Sequence, residues 1–191
     1  DRAVEGKLVT KSFCGGKQYT TWFRLEFDRP FKAFGTWDRD GGIPGSRTSM
    51  GAQWEVPNGA WLTFDLGASH SVTVTSAISH VDADGARRNL KAEGKRDGRL
   101  LGFDAMREAA QAQWRKELAS VKVEGGSRDD RTVFYTALYH ALLQPMTGND
   151  ADGRYRGYDD EIHVARDWTY YEYFSLWDTY RAQNQWLAMT Q

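Results

Sequence analysis

The sequence predicts an α+β protein in which an antiparallel β-sandwich is followed by helices. Two observations lead to this fold class. From Val4 to Val81, short segments alternate apolar and polar residues and are separated by turn-forming residues, as in half-buried strands. After Val81 the apolar residues recur at helical spacing instead. Strands followed by helices in one chain indicate an α+β arrangement or separate domains.

Five strands are predicted in the first part of the chain. They are Val4–Phe13, Tyr19–Phe27, Phe31–Trp37, Trp61–Leu66 and Ser71–His80. The segment Asp38–Gly51 is rich in Gly, Asp, Arg and Ser, which predicts a mobile loop. Several short strands at this spacing favour an antiparallel sandwich. We expect this sandwich to be incomplete, because Val4 already lies in a strand with no segment before it.

Helical signals begin at Ala83. Ala83–Glu93 has the composition of a helix, and Lys95–Leu101 is a polar connection. Apolar residues from Phe103 to Leu118 then mark one face of an amphipathic helix. A short strand is predicted at Val121–Glu124, and the Gly pair that follows it should break the chain.

The next helix is predicted within Asp129–Pro145, with Asp129 or Asp130 as the N-cap. Its apolar residues cover so much of the surface that the pattern favours a helix packed on most sides. Such a helix suits the inner layer of a helical barrel. Pro145 is expected to end it.

The most informative stretch is Glu172–Arg181, with the sequence EYFSLWDTYR. It places the carboxylate of Asp178 beside Trp177 and among further aromatic residues, including Tyr173 and Phe174. Aromatic rings cover the C–H face of a sugar while a carboxylate accepts hydrogen bonds from its hydroxyls. The alternative is an aromatic helix in a core, with Asp178 as a cap or a buried acceptor.

The helical pattern of this stretch continues through Met189 without a C-cap Gly or Pro. We therefore expect the chain to be a fragment that ends inside a helix.

Composition excludes several classes of protein. The 191 residues carry a net charge of −1 and no long basic run, which argues against partners such as nucleic acid or a membrane surface. No segment approaches the roughly 20 apolar residues of a membrane span. The single Cys14 excludes an internal disulfide.

No metal-binding motif is evident. The four His residues lack metal-ligand spacing. Asp150 and Asp152 fit the third and fifth positions of a calcium-binding EF-hand loop, but Gly148 and Asp159 then stand where the first ligand and the bidentate Glu belong. A tight turn with Asx hydrogen bonds is the better interpretation of Asp150 and Asp152.

Several segments together resemble glycoside hydrolase family 92, the calcium-dependent exo-acting α-mannosidases. The segments are EFDRPFKAFGTW (Glu26–Trp37), Asn89–Gly126, DDRTVFYTALYHALLQP (Asp129–Pro145), DADGRYRG (Asp150–Gly157) and FSLWDTYRA (Phe174–Ala182). The resemblance implies an N-terminal β-sandwich, linker helices and an (α/α)6 catalytic barrel. On this basis residues 1–81 are the end of the sandwich, 82–124 the linker and 125–191 the first helices of the barrel.

The resemblance also implies a function. The parent protein would hydrolyse terminal mannose, α-1,2-linked, from glycans with inversion. Its catalytic acid, base and calcium ligands would lie outside this chain, so we assign no catalytic or metal residue here and expect the chain alone to be inactive. Its partners would be a mannose-containing glycan and the remainder of the catalytic domain, and its location secreted, periplasmic or at the cell surface.

In this family Asp178 corresponds to a residue that holds the terminal mannose, with Trp177 beside it. Tyr155 and Arg156 are further substrate-binding candidates because they lie in a loop that resembles the family's. A non-catalytic carbohydrate-binding β-sandwich with appended helices is the competing hypothesis, and a purely structural segment is a third. A sugar-binding titration separates the first two, because a self-sufficient lectin binds without the rest of a catalytic domain.

Overall fold

The computed structural model describes residues 1–11, 16–51, 57–172 and 175–190 of the protein. They form two compact units. The first contains Asp1–Leu101 together with Asp150–Asp152, and the second contains Gly102–Asn149 and Gly153–Gln191. The predicted α+β class is confirmed, because antiparallel sheets are followed by helices. The predicted domain boundaries after residues 81 and 124 are not tested by this division and stay predictions.

Two three-stranded antiparallel sheets make up most of the first unit. Their strands are β1 (Ala3–Lys11), β2 (Gln18–Phe27), β3 (Ala33–Asp38), β4 (Gly41–Pro44), β5 (Gly59–Thr63) and β6 (Val74–Ser79). One sheet has the order β1-β2-β6 and the other the order β4-β3-β5. All five predicted strands are therefore present, with ends shifted by a few residues. The part of the first predicted strand beyond Lys11, and Cys14 after it, lie outside the described residues.

The predicted loop Asp38–Gly51 contains a strand that the sequence analysis missed. Residues of β4 pair with β3, from Gly35 opposite Pro44 to Asp38 opposite Gly41. The prediction of an unstructured loop is wrong here because Gly41 adopts a φ of 127°, a conformation that glycine alone reaches easily, and so turns the chain back on β3.

Four phenylalanine rings link the two sheets. Phe27 in β2 lies 5.4 Å from Phe31 and 5.2 Å from Phe64, measured between ring centroids, and Phe31 also contacts Phe34 in β3 at 6.5 Å. Such ring pairs add to the free energy gained by burying their apolar surface. The two sheets therefore share a partly buried aromatic cluster at this end of the sandwich.

Helix α1 (Ala83–Glu93) has the predicted bounds. The side chain of Asp82 accepts a hydrogen bond from the backbone N–H of Gly85 at 2.6 Å, which caps the helix, and Gly94 ends it. Ala86 and Leu90 are fully buried in the first unit. A short hairpin of β7 (Lys95–Arg96) and β8 (Arg99–Leu100) follows where a polar connection was predicted.

In the second unit, α2 (Phe103–Leu118) and α3 (Arg128–Ala141) are the longest helices. The N-cap of α3 is Ser127, not Asp129 or Asp130 as predicted. The Ser127 hydroxyl accepts from the backbone N–H of Asp130 at 3.1 Å, and the Asp130 carboxylate accepts from the backbone N–H of Ser127 at 2.8 Å. This reciprocal capping box stabilises the start better than a single aspartate would. The structure shows no strand at Val121–Glu124.

Helices α2 and α3 expose much of their apolar surface. Val133 is 70% exposed and Phe103 is 74% exposed, while Leu138 is the buried residue of α3 among those described. Trp114 of α2 contacts Tyr139 of α3 edge-on at 4.5 Å. Thus α3 has the apolar composition of an inner helix but is not covered on most sides in this chain. None of the helices within the described residues is long and apolar enough to cross a membrane.

We expect the 191-residue chain to self-associate through this apolar surface, because soluble monomers rarely expose contiguous apolar patches beyond a few hundred Å². Light scattering across a concentration series measures it. Val133→Lys should shift the chain toward monomer, whereas Gln111→Lys, which adds the same charge at an exposed polar position of α2, should not. A stable monomer at high concentration would contradict the expectation.

The C-terminal segment contains two short helices, α4 (Leu176–Thr179) and α5 (Gln183–Thr190), and not the single helix that the apolar pattern predicts. The break occurs at Ala182, which has a positive φ of 69° and interrupts the helical hydrogen bonds. The side-chain amide of Gln183 donates to the carbonyl oxygens of Ala141 and Gln144, each at 2.9 Å. These bonds fix the start of α5 on the end of α3.

Candidate functional site

Trp177 and Asp178 lie on α4 and point away from the buried side of that helix. Thr179 is buried, and its hydroxyl donates to the carbonyl oxygen of Ser175 at 3.2 Å. Trp177 is 82% exposed and Asp178 is exposed as well. The carboxylate of Asp178 has no hydrogen-bond partner among the described residues. The alternative of a packed aromatic core therefore does not hold for these two side chains, which are free to meet a ligand.

Tyr173 and Phe174, which the sequence analysis placed on the same helical face as Trp177 and Asp178, lie outside the described residues. The helix itself begins at Leu176, two residues after Phe174.

Tyr155 and Arg156 lie on β9 (Arg154–Arg156), which pairs with β10 (Ile162–Val164) in a short antiparallel hairpin. Nη1 of Arg156 donates to the carbonyl oxygen of Asp160 at 2.6 Å, within the turn of the hairpin. This bond gives Arg156 a structural role in the turn.

Tyr155 belongs to an aromatic cluster formed by Tyr155, His163, Trp168 and Tyr170. Tyr155 stacks on Tyr170 with centroids 4.0 Å apart and meets the edge of Trp168 at 5.5 Å. Burial raises the pKa of Tyr170, and the charge of Glu172 adds to the effect. Since Tyr155 uses one ring face on Tyr170, the half-exposed Trp168 offers the more open aromatic surface.

The sequence analysis did not select Trp168 or Tyr170. The available signal was the density of aromatic residues in WTYYEY, residues 168–173.

The four predicted site residues thus occupy two elements of the second unit. Tyr155 and Arg156 are neighbours on β9, and Trp177 and Asp178 are neighbours on α4. Among the ring contacts of the described residues, none joins Tyr155 to Trp177. Their assignment as one substrate site stays a prediction.

The first unit contains a buried carboxylate, Asp150, which the sequence analysis interpreted only as part of a tight turn. Asp150 is only 4% exposed. Its Oδ2 accepts from the Ser79 hydroxyl at 2.7 Å, and its Oδ1 accepts from the Asn89 side-chain amide at 2.8 Å. Burial raises the pKa of Asp150, while the two hydrogen bonds act in the opposite direction. We call Asp150, Ser79 and Asn89 the Asp150 clasp.

Two sequence models match the chain. The glycosyl hydrolase family 92 N-terminal domain matches residues 1–79, and the glycosyl hydrolase family 92 catalytic domain matches residues 85–191. The chain belongs to glycosyl hydrolase family 92. The resemblance seen in the sequence is therefore confirmed over nearly the whole chain.

Solved structures of family 92 enzymes are similar in fold. An α-mannosidase from Bacteroides thetaiotaomicron has a TM-score of 0.79 and 34% identity over 98% of this chain and 25% of its own. Another structure of it, in complex with mannoimidazole, has a TM-score of 0.78 and 33% identity over 98% of this chain and 24% of its own. An inverting mannosidase from Bacteroides thetaiotaomicron VPI-5482 has a TM-score of 0.75 and 26% identity over 97% and 24%.

The chain thus spans about a quarter of the length of these family 92 structures. The comparison with curated protein sequences returned no match.

Calcium binding, which the resemblance implies for family 92 proteins, has no fitting site in the described residues. Calcium takes six to eight oxygen ligands. Within residues 1–11, 16–51, 57–172 and 175–190, no three His, Cys, Asp or Glu side chains converge closely enough to hold a metal ion. Asp150, whose sequence context first suggests a calcium loop, instead accepts hydrogen bonds from Ser79 and Asn89.

Proposed function

We propose that the chain forms part of the substrate-binding site of an exo-acting family 92 α-mannosidase, which removes terminal α-1,2-linked mannose from glycans with inversion. The observation that carries the proposal is the 34% identity, over 98% of this chain, to an α-mannosidase of the family. A structure of that enzyme in complex with mannoimidazole supports a mannose-like ligand. By "the full-length enzyme" we mean the longer protein to which this chain would belong.

The proposed roles follow from the exposed pair on α4. Asp178 would accept hydrogen bonds from two mannose hydroxyls, and Trp177 would cover the apolar face of the sugar. Tyr155 and Arg156 would contribute further contacts from β9. An inverting glycosidase needs two carboxyl groups about 6.5–9.5 Å apart, one to protonate the leaving oxygen and one to activate water. In our proposal both come from outside this chain.

The proposal is tested by following hydrolysis of an aryl α-mannoside by the full-length enzyme with NMR. An inverting enzyme releases β-mannose first, and α-mannose appears only later through mutarotation. Release of α-mannose first would contradict inversion, and no release at all would contradict the proposed activity.

The 191-residue chain alone is expected to have no α-mannosidase activity, because its described residues supply one exposed carboxylate on α4 and no metal site. The measurement is mannose release from the same aryl α-mannoside with calcium present, beside the full-length enzyme as a positive control. Turnover by the isolated chain that a chelator abolishes would contradict this expectation.

Two properties of the full-length enzyme complete the proposal. Its calcium would be held by ligands outside this chain, so a chelator should abolish activity and added calcium should restore it. Its location would be extracytoplasmic (secreted, periplasmic or at the cell surface), which cell fractionation can test.

A non-catalytic carbohydrate-binding module is the weaker candidate. The match of residues 85–191 to the catalytic domain accounts for the helices that this alternative treats as appendages.

A further inference from the structure

The three residues Asp150–Asp152 belong to the first unit although the chain leaves that unit at Leu101. The Asp150 clasp holds them there. In addition, the backbone N–H of Ala151 donates to Oδ1 of Asn89 at 2.8 Å. Nε of Arg88 lies 2.9 Å from Oδ2 of Asp152. The next strand along the chain, β9, begins at Arg154 and carries Tyr155 and Arg156. The clasp therefore fixes the chain at Asp150, four residues before that strand begins.

We propose that Asp150 is a positioning residue for substrate binding. Its carboxylate accepts hydrogen bonds from Ser79 and Asn89 and thereby fixes the segment that precedes β9, the strand that carries Tyr155 and Arg156. The inference rests on the proposed function, because Tyr155 and Arg156 are binding residues only within it. Asp150 itself is buried and touches no substrate in this proposal.

Asp150 is the acceptor in both hydrogen bonds because neither partner can reverse the direction of its own bond. The two N–H groups of Asn89 are used by Asp150 and by the carbonyl oxygen of Ile78, at 2.8 Å each. The amide oxygen of Asn89 already accepts a hydrogen bond from the backbone N–H of Ala151. The Ser79 hydroxyl already accepts from the backbone N–H groups of Val81 and Asp82, at 3.0 and 3.3 Å.

Two donors therefore converge on Asp150, which must accept from both. With asparagine at this position, one of the two acceptor oxygens is replaced by an NH2 donor. That donor would face either the side-chain amide of Asn89 or the Ser79 hydroxyl, whose oxygen already accepts two hydrogen bonds. A buried donor without an acceptor destabilises the local arrangement, so the segment would move to relieve it.

The charged groups around Asp150 include the carboxylates of Asp82 and Asp152, which raise its pKa, and Arg88, which lies within 4 Å of both. Burial is the largest cause of the raised pKa. Because the pKa is raised in the folded protein, protonation favours the buried arrangement as the pH falls, and low pH is not expected to open the clasp.

The test compares the full-length enzyme with its Asp150→Asn variant. At neutral pH we expect kcat/KM to fall about tenfold or more, since small displacements of binding groups are costly to catalysis. The loss should appear mainly as a higher KM, because the proposal assigns Tyr155 and Arg156 to binding and not to the chemical step. Asp97→Asn is the matched control, since it removes an exposed carboxylate from the turn between β7 and β8 in the same unit, and it should leave kcat/KM within about twofold.

The melting temperature of Asp150→Asn separates positioning from a purely structural role, since a structural role predicts a lower melting temperature with normal kinetics in the folded fraction. That outcome, or a loss confined to kcat, would overturn the inference. Hydrogen exchange on the 191-residue chain gives a second readout without catalysis. The amide of Ala151 should exchange faster in Asp150→Asn, and unchanged exchange would also count against the clasp. A wild-type enzyme that hydrolyses no mannoside rejects the proposed function itself, whereas an active enzyme with an unaffected variant rejects only this inference.

Discussion

Asp178→Asn in the full-length enzyme is expected to lower kcat/KM for an α-mannoside by about a hundredfold or more. Asparagine keeps the shape of the side chain but removes its charge, and one acceptor becomes a donor. Hydrogen bonds to charged groups contribute about 1.5–3 kcal/mol each, and each ~1.36 kcal/mol of lost transition-state binding is tenfold in rate. Two such bonds to mannose hydroxyls therefore account for the expected loss.

Thermal stability should barely change in the same variant, because Asp178 is exposed and its carboxylate has no hydrogen-bond partner among the described residues. Melting temperature and kcat/KM are measured on one preparation. Asp104→Asn, at a carboxylate of α2 that is 76% exposed, is the control and should alter neither value. A large loss of stability with near-normal specific activity would show that Asp178 is only a structural residue.

Gly85→Ala is expected to destabilise the first unit. A Cβ at this position would lie 2.1 Å from Oδ2 of Asp150 and 2.4 Å from Oγ of Ser79, so the added methyl group would force the two apart. Overpacking costs about 1–3 kcal/mol, and here it also breaks buried hydrogen bonds. The higher helix propensity of alanine offsets up to ~1 kcal/mol. We expect a net loss of about 2 kcal/mol.

Such a loss corresponds to a fall of roughly 10 °C in the melting temperature of a unit of this size, which calorimetry can measure. Gly42→Ala in β4 is the control, since a Cβ there would meet nothing closer than 3.9 Å. If both variants have the same melting temperature as the unmodified chain, Gly85 is not packed tightly against Asp150 in solution.

Local signals in the sequence predicted much of the fold. Helix α1 has its predicted bounds because Asp82 supplies a cap at one end and Gly94 a stop at the other. The Gly125-Gly126 pair adopts positive φ angles of 82° and 65° and breaks the chain as expected. The candidate residues Trp177 and Asp178 were selected from a short motif, and the structure exposes both.

Features that depend on distant residues could not be predicted. The burial of Asp150 depends on Ser79 and Asn89, which are 71 and 61 positions away in the chain. Nothing in the sequence DADG distinguishes such a buried acceptor from an ordinary surface turn. The break between α4 and α5 occurs without a Gly or Pro and involves a bond from Gln183 to the end of α3. Periodicity alone therefore favoured one continuous helix.

The return of residues 150–152 to the first unit affects the order of events during synthesis. A ribosome adds about 5–20 residues per second, and roughly fifty residues separate Leu101 from the last residue of the returning segment. For about 3–10 s the nascent sheets and α1 therefore exist with Ser79 and Asn89 lacking their shared acceptor. The first unit can therefore complete its buried polar contacts only after Asp150 has been synthesised.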